Sequence, residues 1–359
     1  MTKIYNTIGT MSGTSFDGID ISLANTDGAE IFNNQFNLYE PFDTNLKEEL
    51  KKIKSLIKDK SDIVKLQSQK SFQDIEKRVS DLHINLIKET ILKSRQKIDL
   101  IGFHGITLYH NAEEKFTYQA GNANRVFEET KIPVVHNFRK EDLNNNGQGA
   151  PLTPIFHKYI LKKLSKNNLK FDAIINIGGI SNITYLKNDL LYASDIGPGN
   201  CLIDQWCNLF FNKDFDDNGQ LSNQITPDLI TANNYIDRFK FNKNLSFDYS
   251  DFSISEFRGL GESVGIATLV YITANLILTF LNEKKINKAL ISGGGRKNKT
   301  LMSYLKDRVI DIDTMNLNGD FLESQSFSYI AARCMNKIPV TYPETTGVDQ
   351  ETIGGEFII

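Results

Sequence analysis

The sequence predicts an α/β protein of two lobes with a duplicated β-meander core and an interdomain cleft. The length of 359 residues exceeds one ordinary compact core, so two domains are expected. Residues 4–8 and 19–24 read as strands joined by a glycine-rich turn, and residues 171–177 and 183–186 repeat that arrangement. The repetition indicates an internal duplication, although residue identity between the halves does not demonstrate one.

Composition and charge exclude several classes of protein. Hydrophobic residues make up 40% and charged residues 24% of the chain, which is typical of a soluble globular protein. A net charge of −3 offers no basic surface for nucleic acid. Three cysteines without CxxC spacing indicate reduced thiols and no structural metal site. With no signal peptide visible, the predicted location is the cytoplasm, and no membrane partner is expected.

One apolar stretch, residues 263–281, is long enough to span a bilayer and carries no formal charge. Polar residues such as Thr268, Thr273 and Asn275 interrupt it, and no second span accompanies it. We therefore expect a helix buried between the lobes.

The first lobe continues from the opening turn as strands and an amphipathic helix. Residues 30–39 are expected to close the meander, and Asp43 or Thr44 to cap the following helix. Apolar residues spaced by three and four predict one helix over 62–94. A buried strand over 99–103 is expected to end at His104, which places that side chain where ligands gather in open α/β sheets.

The opening turn has the composition of a phosphate-binding hairpin tip. Gly13 and Gly18 permit positive φ and close approach of a ligand, and Thr14 and Ser15 add hydroxyl donors. Asp17 is then the carboxylate nearest the phosphates, where it orients a metal-bound water or a nucleophile. The alternative is an ordinary hairpin turn of the same composition.

The second lobe repeats glycine turns at strand ends. Asp195 follows a predicted strand directly before an expected helix over 201–211, which places a carboxylate beside free helix N–H groups. Gly293 to Gly295 follow the strand over 289–291 and allow a flat ring or a phosphate against the backbone. Such a run is also compatible with a tight loop alone.

The domain boundary is placed at a polar crossing. Residues 144–151 are rich in Asn and Gly, so the prediction is domain I over residues 1–135 and domain II over 136–344. The tail, 345–359, is expected to return to domain I.

Together the turns look like the actin/hexokinase-like ATPase fold, and specific motifs resemble the anhydro-N-acetylmuramic acid kinases. In chain order, these motifs are Gly9 to Ser15 with Asp17 and Gly18, Gly102 to Gly105, Gln119 to Asn122, Gly147 to Pro151, Asn176 to Gly179, Asp195 to Asn200, Gly293 to Gly295, Thr346 with Gly347, and Gly354 with Gly355. Their order over essentially the whole chain is more specific than any single motif.

The resemblance implies ATP-dependent hydrolytic opening of 1,6-anhydro-N-acetylmuramic acid with phosphorylation of its 6-oxygen, in cell-wall amino-sugar recycling. The implied cofactors are ATP and Mg²⁺, and no separate metal site formed by the protein is expected. A homodimer is one possible oligomeric state. The implied nucleotide-binding residues are Gly13, Thr14, Ser15, Phe16, Asp17, Gly18, Ile19, Asp20, Gly178, Gly179, Gly293, Gly294 and Gly295. Asp195 is implied as the base that takes a proton from water, and Glu323 as a catalytic residue on a helix near the sugar. The implied substrate-binding residues are His104, Gln148, Gly149 and Asn200.

The chain also departs from the family pattern. Leu245 and Tyr249 stand where related sequences carry Lys and Arg, Asn137 where Asp is common, and Asn146 where a second Gly occurs. A same-fold kinase for another sugar and an ATP-binding sensor without turnover therefore remain alternatives. Turnover with the anhydro sugar distinguishes the first hypothesis from both.

Overall fold

The computed structural model describes residues 2–241, 247 and 249–359, which form two compact units. The first comprises Met1–Tyr159 and Phe321–Ile359, and the second comprises Ile160–Asp320. The predicted boundaries lie after residues 135 and 344, whereas the two units divide after Tyr159 and Asp320. The chain up to Tyr159 stays in the first unit because Phe156 packs on Phe32 and Tyr329, with ring centroids 4.6 and 5.4 Å apart.

The first unit contains a seven-stranded mixed sheet. Its strands are β1 (Tyr5–Ser12), β2 (Gly18–Thr26), β3 (Phe32–Pro41), β4 (Leu100–Asn111), β5 (Phe116–Ala120), β6 (Val134–His136) and β12 (Glu356–Ile358). Their order is β12-β6-β4-β1-β2-β3, with β5 on β4. The first three strands form an antiparallel meander, β4 runs parallel to β1, and β6 runs parallel to β4. The terminal strand β12 closes the opposite edge antiparallel to β6.

Helices cover this sheet. They are α1 (Thr44–Leu56), α2 (Lys60–Gln67), α3 (Lys70–Ser94), α4 (Ala123–Thr130), α5 (Lys140–Asn144), α11 (Leu322–Met335) and α12 (Pro343–Thr346), and α6 (Pro154–Lys166) crosses the unit boundary. Asp43 caps α1 by accepting the Leu46 N–H at 2.8 Å, so the predicted cap is confirmed. The single helix predicted over 62–94 is two helices, because Gln69 adopts extended backbone angles between them.

The prediction that a strand ends at His104 is wrong, because β4 continues to Asn111. Its second half pairs antiparallel with β5, from Ile106 opposite Ala120 to Asn111 opposite Phe116. This pairing continues the strand beyond the histidine, although Gly105 between the two halves has a positive φ of 74°. His104 therefore lies inside a strand.

The second unit contains a five-stranded sheet with the same organisation. Its strands are β7 (Ala173–Ile177), β8 (Ile180–Lys187), β9 (Leu190–Pro198), β10 (Ala289–Ser292) and β11 (Val309–Asp311). The order is β11-β10-β7-β8-β9: an antiparallel meander, then β10 parallel to β7 and β11 parallel to β10. The same strand order in both units confirms the predicted duplicated meander and the α/β fold class.

The helices of the second unit surround one long apolar helix. They are α7 (Cys201–Trp206), which continues as a π-helical turn over Cys207–Phe211, α8 (Leu229–Arg238), α9 (Glu262–Lys284) and α10 (Lys299–Leu305). By length and composition α9 is the one helix of the described chain apolar enough to cross a membrane, and 72% of its most apolar window is buried. The expectation of a helix between lobes is corrected, since α9 lies within the hydrophobic core of the second unit, with Gly265 directly under Trp206.

Candidate active site

The hairpin tip between β1 and β2 presents hydroxyl groups, but its glycines have other roles than expected. Neither Gly13 nor Gly18 has a positive φ; the left-handed residue is Phe16, at φ 56°. The Phe16 ring is buried in the core and fixes the turn, while Thr14 and Ser15 remain exposed. The tip therefore offers backbone and hydroxyl donors on a rigid base.

The two glycines of the tip differ in the space around them. A Cβ on Gly18 would lie 2.3 Å from the Glu40 carbonyl oxygen, so this glycine is required for packing against β3. A Cβ on Gly13 meets nothing closer than the Ser15 hydroxyl at 3.5 Å, which leaves room for a ligand.

The acidic residues at the tip are placed differently. The exposed Asp17 carboxylate pairs with Lys47 Nζ at 2.5 Å. Asp20 lies in β2 opposite Met11 and Tyr39, and Ile19 is fully buried. Ile19 therefore has only its backbone to offer a nucleotide.

His104 is fixed in one tautomer by its neighbours. Arg139 Nη2 lies 3.0 Å from His104 Nε2, and the Gly105 carbonyl oxygen lies 2.9 Å from Nδ1. Because a guanidinium only donates, Nε2 accepts and Nδ1–H donates to the carbonyl. Burial first, and then the Arg139 charge, lowers the pKa of His104 to about 3. The histidine is therefore neutral, with both ring nitrogens occupied.

The loop that carries Gln148 and Gly149 is anchored by a buried carboxylate. Asp142 accepts the Gly149 N–H at 2.5 Å and the Thr346 hydroxyl at 2.6 Å. The Gly149 carbonyl in turn accepts Arg139 Nη1 at 2.9 Å. Gly149 has a positive φ of 70°, and the Gln148 side chain is exposed. The loop thus presents Gln148 from a fixed backbone.

Glu323 lies on α11, near the same cluster. Its neighbour one turn later, Phe327, has its ring 4.4 Å from that of His104. Burial raises the pKa of Glu323, and the Arg139 charge opposes the rise. The first unit therefore brings together His104, Gly149 and Glu323 around Arg139.

In the second unit, Asp195 lies inside β9 rather than after it, because β8 pairs with β9 up to Ile180 opposite Pro198. Its Oδ2 accepts the Phe247 N–H at 2.8 Å. Burial raises the pKa of Asp195 to about 6, and that hydrogen bond opposes the rise. A carboxylate with this pKa is suited to accept a proton near neutral pH.

Two of the helix N–H groups expected to be free after Asp195, those of Asn200 and Cys201, are already bonded. The Gly179 carbonyl accepts the N–H groups of Gly199 and Cys201 at 2.9 and 3.0 Å, and the Gly178 carbonyl accepts that of Asn200 at 2.8 Å. These bonds tie the β7–β8 turn to the start of α7. The expectation of free helix N–H groups is therefore wrong for Asn200 and Cys201.

The run Gly293 to Gly295 has one open position. Gly293 has φ 80° and no room for a Cβ, since Asn176 Oδ1 would lie 2.3 Å away, and a Cβ on Gly295 would lie 2.2 Å from Ile177 Cγ2. A Cβ on Gly294 meets only Asn200 Nδ2, at 4.0 Å. Gly294 and Asn200 therefore share an accessible corner of the second unit.

Two departures from the family pattern have a structural reason. Asn137 Nδ2 donates to Glu356 Oε2 at 2.6 Å, which a second carboxylate does not do. Asn146 has φ 64°, a left-handed conformation that Gly adopts freely and Asn tolerates. Leu245 lies outside the described residues. Tyr249 is exposed, and its ring lies beside Gly179.

Sequence reasoning missed three cations. Lys47 pairs with Asp17, Arg139 joins His104 to Gly149, and Arg296 donates to the Gly293 carbonyl at 3.0 Å while pairing with Asp313 and Asp320 at 2.9 Å. Arg296 directly follows the glycine run, and Arg139 lies two residues after Asn137, which differs from the family pattern. Their positions beside these motifs could have indicated a role for both arginines. Nothing local marks Lys47, which lies on a separate helix.

Comparison with the sequences of known proteins gives one family. The family model described as Anhydro-N-acetylmuramic acid kinase matches residues 5–358. The protein of that name from Pelagibacter ubique (strain HTCC1062) is 38% identical over 379 residues, with 100% of this chain and 99% of the relative covered. The one from Brucella suis (strain ATCC 23445 / NCTC 10510) is 37% identical over 375 residues, with 99% of each covered. Among solved structures, component A of the (R)-2-hydroxyglutaryl-CoA dehydratase of Acidaminococcus fermentans is 11% identical, with 92% of this chain and 98% of that chain covered and a TM-score of 0.42.

Proposed function

The chain belongs to the anhydro-N-acetylmuramic acid kinase family, and from this premise we propose how its residues carry out the reaction. It is an ATP-dependent kinase that opens 1,6-anhydro-N-acetylmuramic acid with water and phosphorylates the 6-oxygen. The products are N-acetylmuramic acid 6-phosphate and ADP.

Asp195 carries the proposal, because it is a partly buried carboxylate with a raised pKa, and its Oδ2 accepts a hydrogen bond from the Phe247 N–H. In the proposed step, water attacks the anomeric carbon and gives its proton to Asp195. The bond from that carbon to the bridging 6-oxygen breaks, and the 6-oxygen takes the γ-phosphoryl group as ADP leaves. General base assistance of this kind typically contributes ~10²-fold to 10⁴-fold in rate.

The tip from Gly13 to Asp20 is proposed to hold the ATP phosphates in the first unit. The space at Gly13 and the exposed Thr14 and Ser15 hydroxyls support this role. In the second unit the open position at Gly294, together with Gly178 and Gly179, is proposed to lie by the nucleotide. His104, Gln148, Gly149 and Asn200 are proposed to serve the sugar, with His104 acting through Arg139.

Mg²⁺ is proposed to arrive with ATP. The residues that the structure describes contain no group of three or more His, Cys, Asp or Glu side chains able to hold a metal. A Mg²⁺ bound mainly by phosphates needs only one or two carboxylates, which Asp20 and Asp17, now paired with Lys47, would supply. The ion supplies neutralisation of charge on the phosphates.

We further propose that the enzyme acts in the cytoplasm on a small amino sugar, without nucleic-acid or membrane partners. The burial of α9 and the net charge of −3 support this proposal. A homodimer is one candidate oligomeric state, and analytical ultracentrifugation tests it by measuring the mass of the protein in solution.

ADP release measured across a panel of amino sugars tests the function. We expect turnover with 1,6-anhydro-N-acetylmuramic acid and a product whose mass includes one water and one phosphoryl group. Turnover confined to another sugar contradicts the substrate assignment. A nucleotide-induced rise in Tm without turnover on any sugar indicates a sensor instead.

A further inference from the structure

Arg139 has so far served only to link His104 to the proposed sugar site, although it lies at the centre of the cluster formed by His104, Gly149 and Glu323. Its two Nη atoms are engaged, one with the Gly149 carbonyl and one with His104. Its Nε is buried and has no hydrogen-bond partner among the residues that the structure describes. An unsatisfied buried donor ordinarily costs ~1–3 kcal/mol, so such a group in a native protein calls for an explanation.

The geometry of α11 places Glu323 on the side of this donor. Residues four apart lie on one face of a helix, and Phe327 on that face contacts the rings of His104 and Phe138, at 4.4 and 5.2 Å. Phe138 directly precedes Arg139 in the chain. Glu323, one turn before Phe327, therefore lies on the face of α11 that packs against His104 and the Phe138–Arg139 segment.

Charge supports this placement. The charges of Glu323 and, to a smaller extent, Asp142 oppose the fall that burial causes in the pKa of Arg139. The charge of Arg139 in turn opposes the rise that burial causes in the pKa of Glu323. Glu323 and Arg139 nonetheless form no ion pair within 4.0 Å among the described contacts. A free donor and a carboxylate acceptor thus face the same space.

We propose that Arg139 is a substrate-contacting residue that holds one hydroxyl oxygen of the sugar jointly with Glu323. A hydroxyl both accepts and donates, so it accepts from Nε–H and donates to the carboxylate. An anionic group fits poorly, because Glu323 and Asp142 already face the guanidinium. The inference rests on the proposed function, and it makes His104 and Asp142 positioning residues for Arg139.

Sugar binding measured calorimetrically without ATP tests the inference. Arg139→Met and Glu323→Ala are each expected to weaken binding of the anhydro sugar about tenfold to a hundredfold, the range for hydrogen bonds to charged groups. Because one hydroxyl is shared, the double variant is expected to bind little worse than the weaker single variant. Glu323→Gln keeps an acceptor and is expected to retain most of the affinity that Glu323→Ala loses.

Two controls separate contact from folding. Thr346→Val removes one hydrogen bond to Asp142 and disturbs the same loop without removing the donor or the acceptor, so sugar affinity should change less than about threefold. ATP affinity of every variant reports whether the fold is intact. If Arg139→Met does not fold, Arg139→Lys, which keeps the charge without the Nε–H, is used and the same loss is expected.

Sugar affinity within about twofold of wild type in a folded Arg139 variant overturns the inference, as do strictly additive losses in the double variant. A wild-type protein that neither binds nor turns over the anhydro sugar overturns the proposed function instead. The two failures are therefore distinguishable.

Discussion

Two carboxylates differ in the residues that control their protonation. Asp195 and Glu323 both have raised pKa values because burial disfavours their charged forms. For Asp195 the rise in pKa is opposed by a hydrogen bond from the Phe247 N–H, whereas for Glu323 it is opposed by the charge of Arg139. Asp195 is thus the better proton acceptor, and Glu323 is better suited to hold substrate.

Replacing Asp195 tests the base directly. Asp195→Asn is expected to leave ATP and sugar affinities nearly unchanged while lowering kcat ~10²-fold to 10⁴-fold, because an amide does not accept the water proton. In the wild type, kcat/KM is expected to fall below a pH of about 6, where the base becomes protonated. ADP release followed from pH 5 to 8 checks both. A near-normal kcat in the variant removes Asp195 from this role.

The same variant has an expected effect on stability. The folded-state pKa of about 6 lies above the ordinary aspartate pKa of 3.8, so the folded protein binds more protons and stability falls as pH rises through that window. Asp195→Asn removes the charge and should raise Tm at pH 7 but not at pH 3. An equal shift at both values contradicts the linkage.

Asn137 tests why this chain departs from its relatives. Asn137→Asp places a second carboxylate at Glu356, where an amide donor now lies 2.6 Å from Oε2. Replacing that donor by a like charge is expected to cost ~1–3 kcal/mol at pH 7. Denaturant unfolding measures the cost, and adding Glu356→Gln should restore most of it. An unchanged midpoint in the single variant shows that Lys140, also bonded to Glu356, compensates fully.

At the scale of elements, the β1–β2 hairpin offers a matched pair of glycines. Gly18→Ala is expected to destabilise the protein by ~1–3 kcal/mol through a clash with β3. Gly13→Ala meets open space and should leave Tm nearly unchanged while weakening ATP binding tenfold or more if phosphate approaches that backbone. Thermal unfolding and ATP titration distinguish the two effects. Unaltered ATP affinity in Gly13→Ala argues against the phosphate assignment.

The β10–α10 turn provides the corresponding pair in the second unit. Gly295→Ala clashes with Ile177 and should lower Tm, whereas Gly294→Ala is expected to fold normally and to raise the KM for ATP. The reason is that an added methyl group at Gly294 occupies only ligand space. Steady-state kinetics at saturating sugar measure the change. A normal KM in Gly294→Ala places the nucleotide away from this turn.

At the scale of the whole molecule, the first unit is assembled from both ends of the chain. A Cβ on Gly9 or Gly102 would lie 2.1 or 2.5 Å from carbonyl oxygens of α11, so this helix lies directly on β1 and β4. Phe327, Tyr329 and Ile330 of α11 are all buried. The second unit is a continuous insertion between these parts.

Truncation tests this dependence. A chain ending at Asp320 lacks α11 and should lose the cooperative unfolding of the first unit, since three large buried side chains contribute ~1.5–3 kcal/mol each against a net stability of ~5–15 kcal/mol. A chain ending at Gly355 lacks only β12 and should keep that transition at a lower Tm. Calorimetry of the two truncated chains provides the measurement. A first unit that unfolds cooperatively without α11 contradicts this account.

The sequence by itself determined the duplicated meander and the family. These features are local patterns, and local patterns can be recognised in the sequence without the structure. They are the alternation within strands, the turns at residues 13–18, 178–179 and 293–295, and the order of those turns along the chain. The family match over residues 5–358 agrees with the motifs that carried the resemblance.

Only the tertiary structure decided the surroundings of these residues. The Phe16 conformation, the occupied N–H groups before α7 and the pairing of Asp17 with Lys47 each depend on elements brought together by folding. Arg139 is the clearest case, because its partners His104, Gly149 and Glu323 lie up to half the chain away. A pattern within one segment carries no information about which distant donor faces which acceptor, and that arrangement decides which side chains meet the substrate.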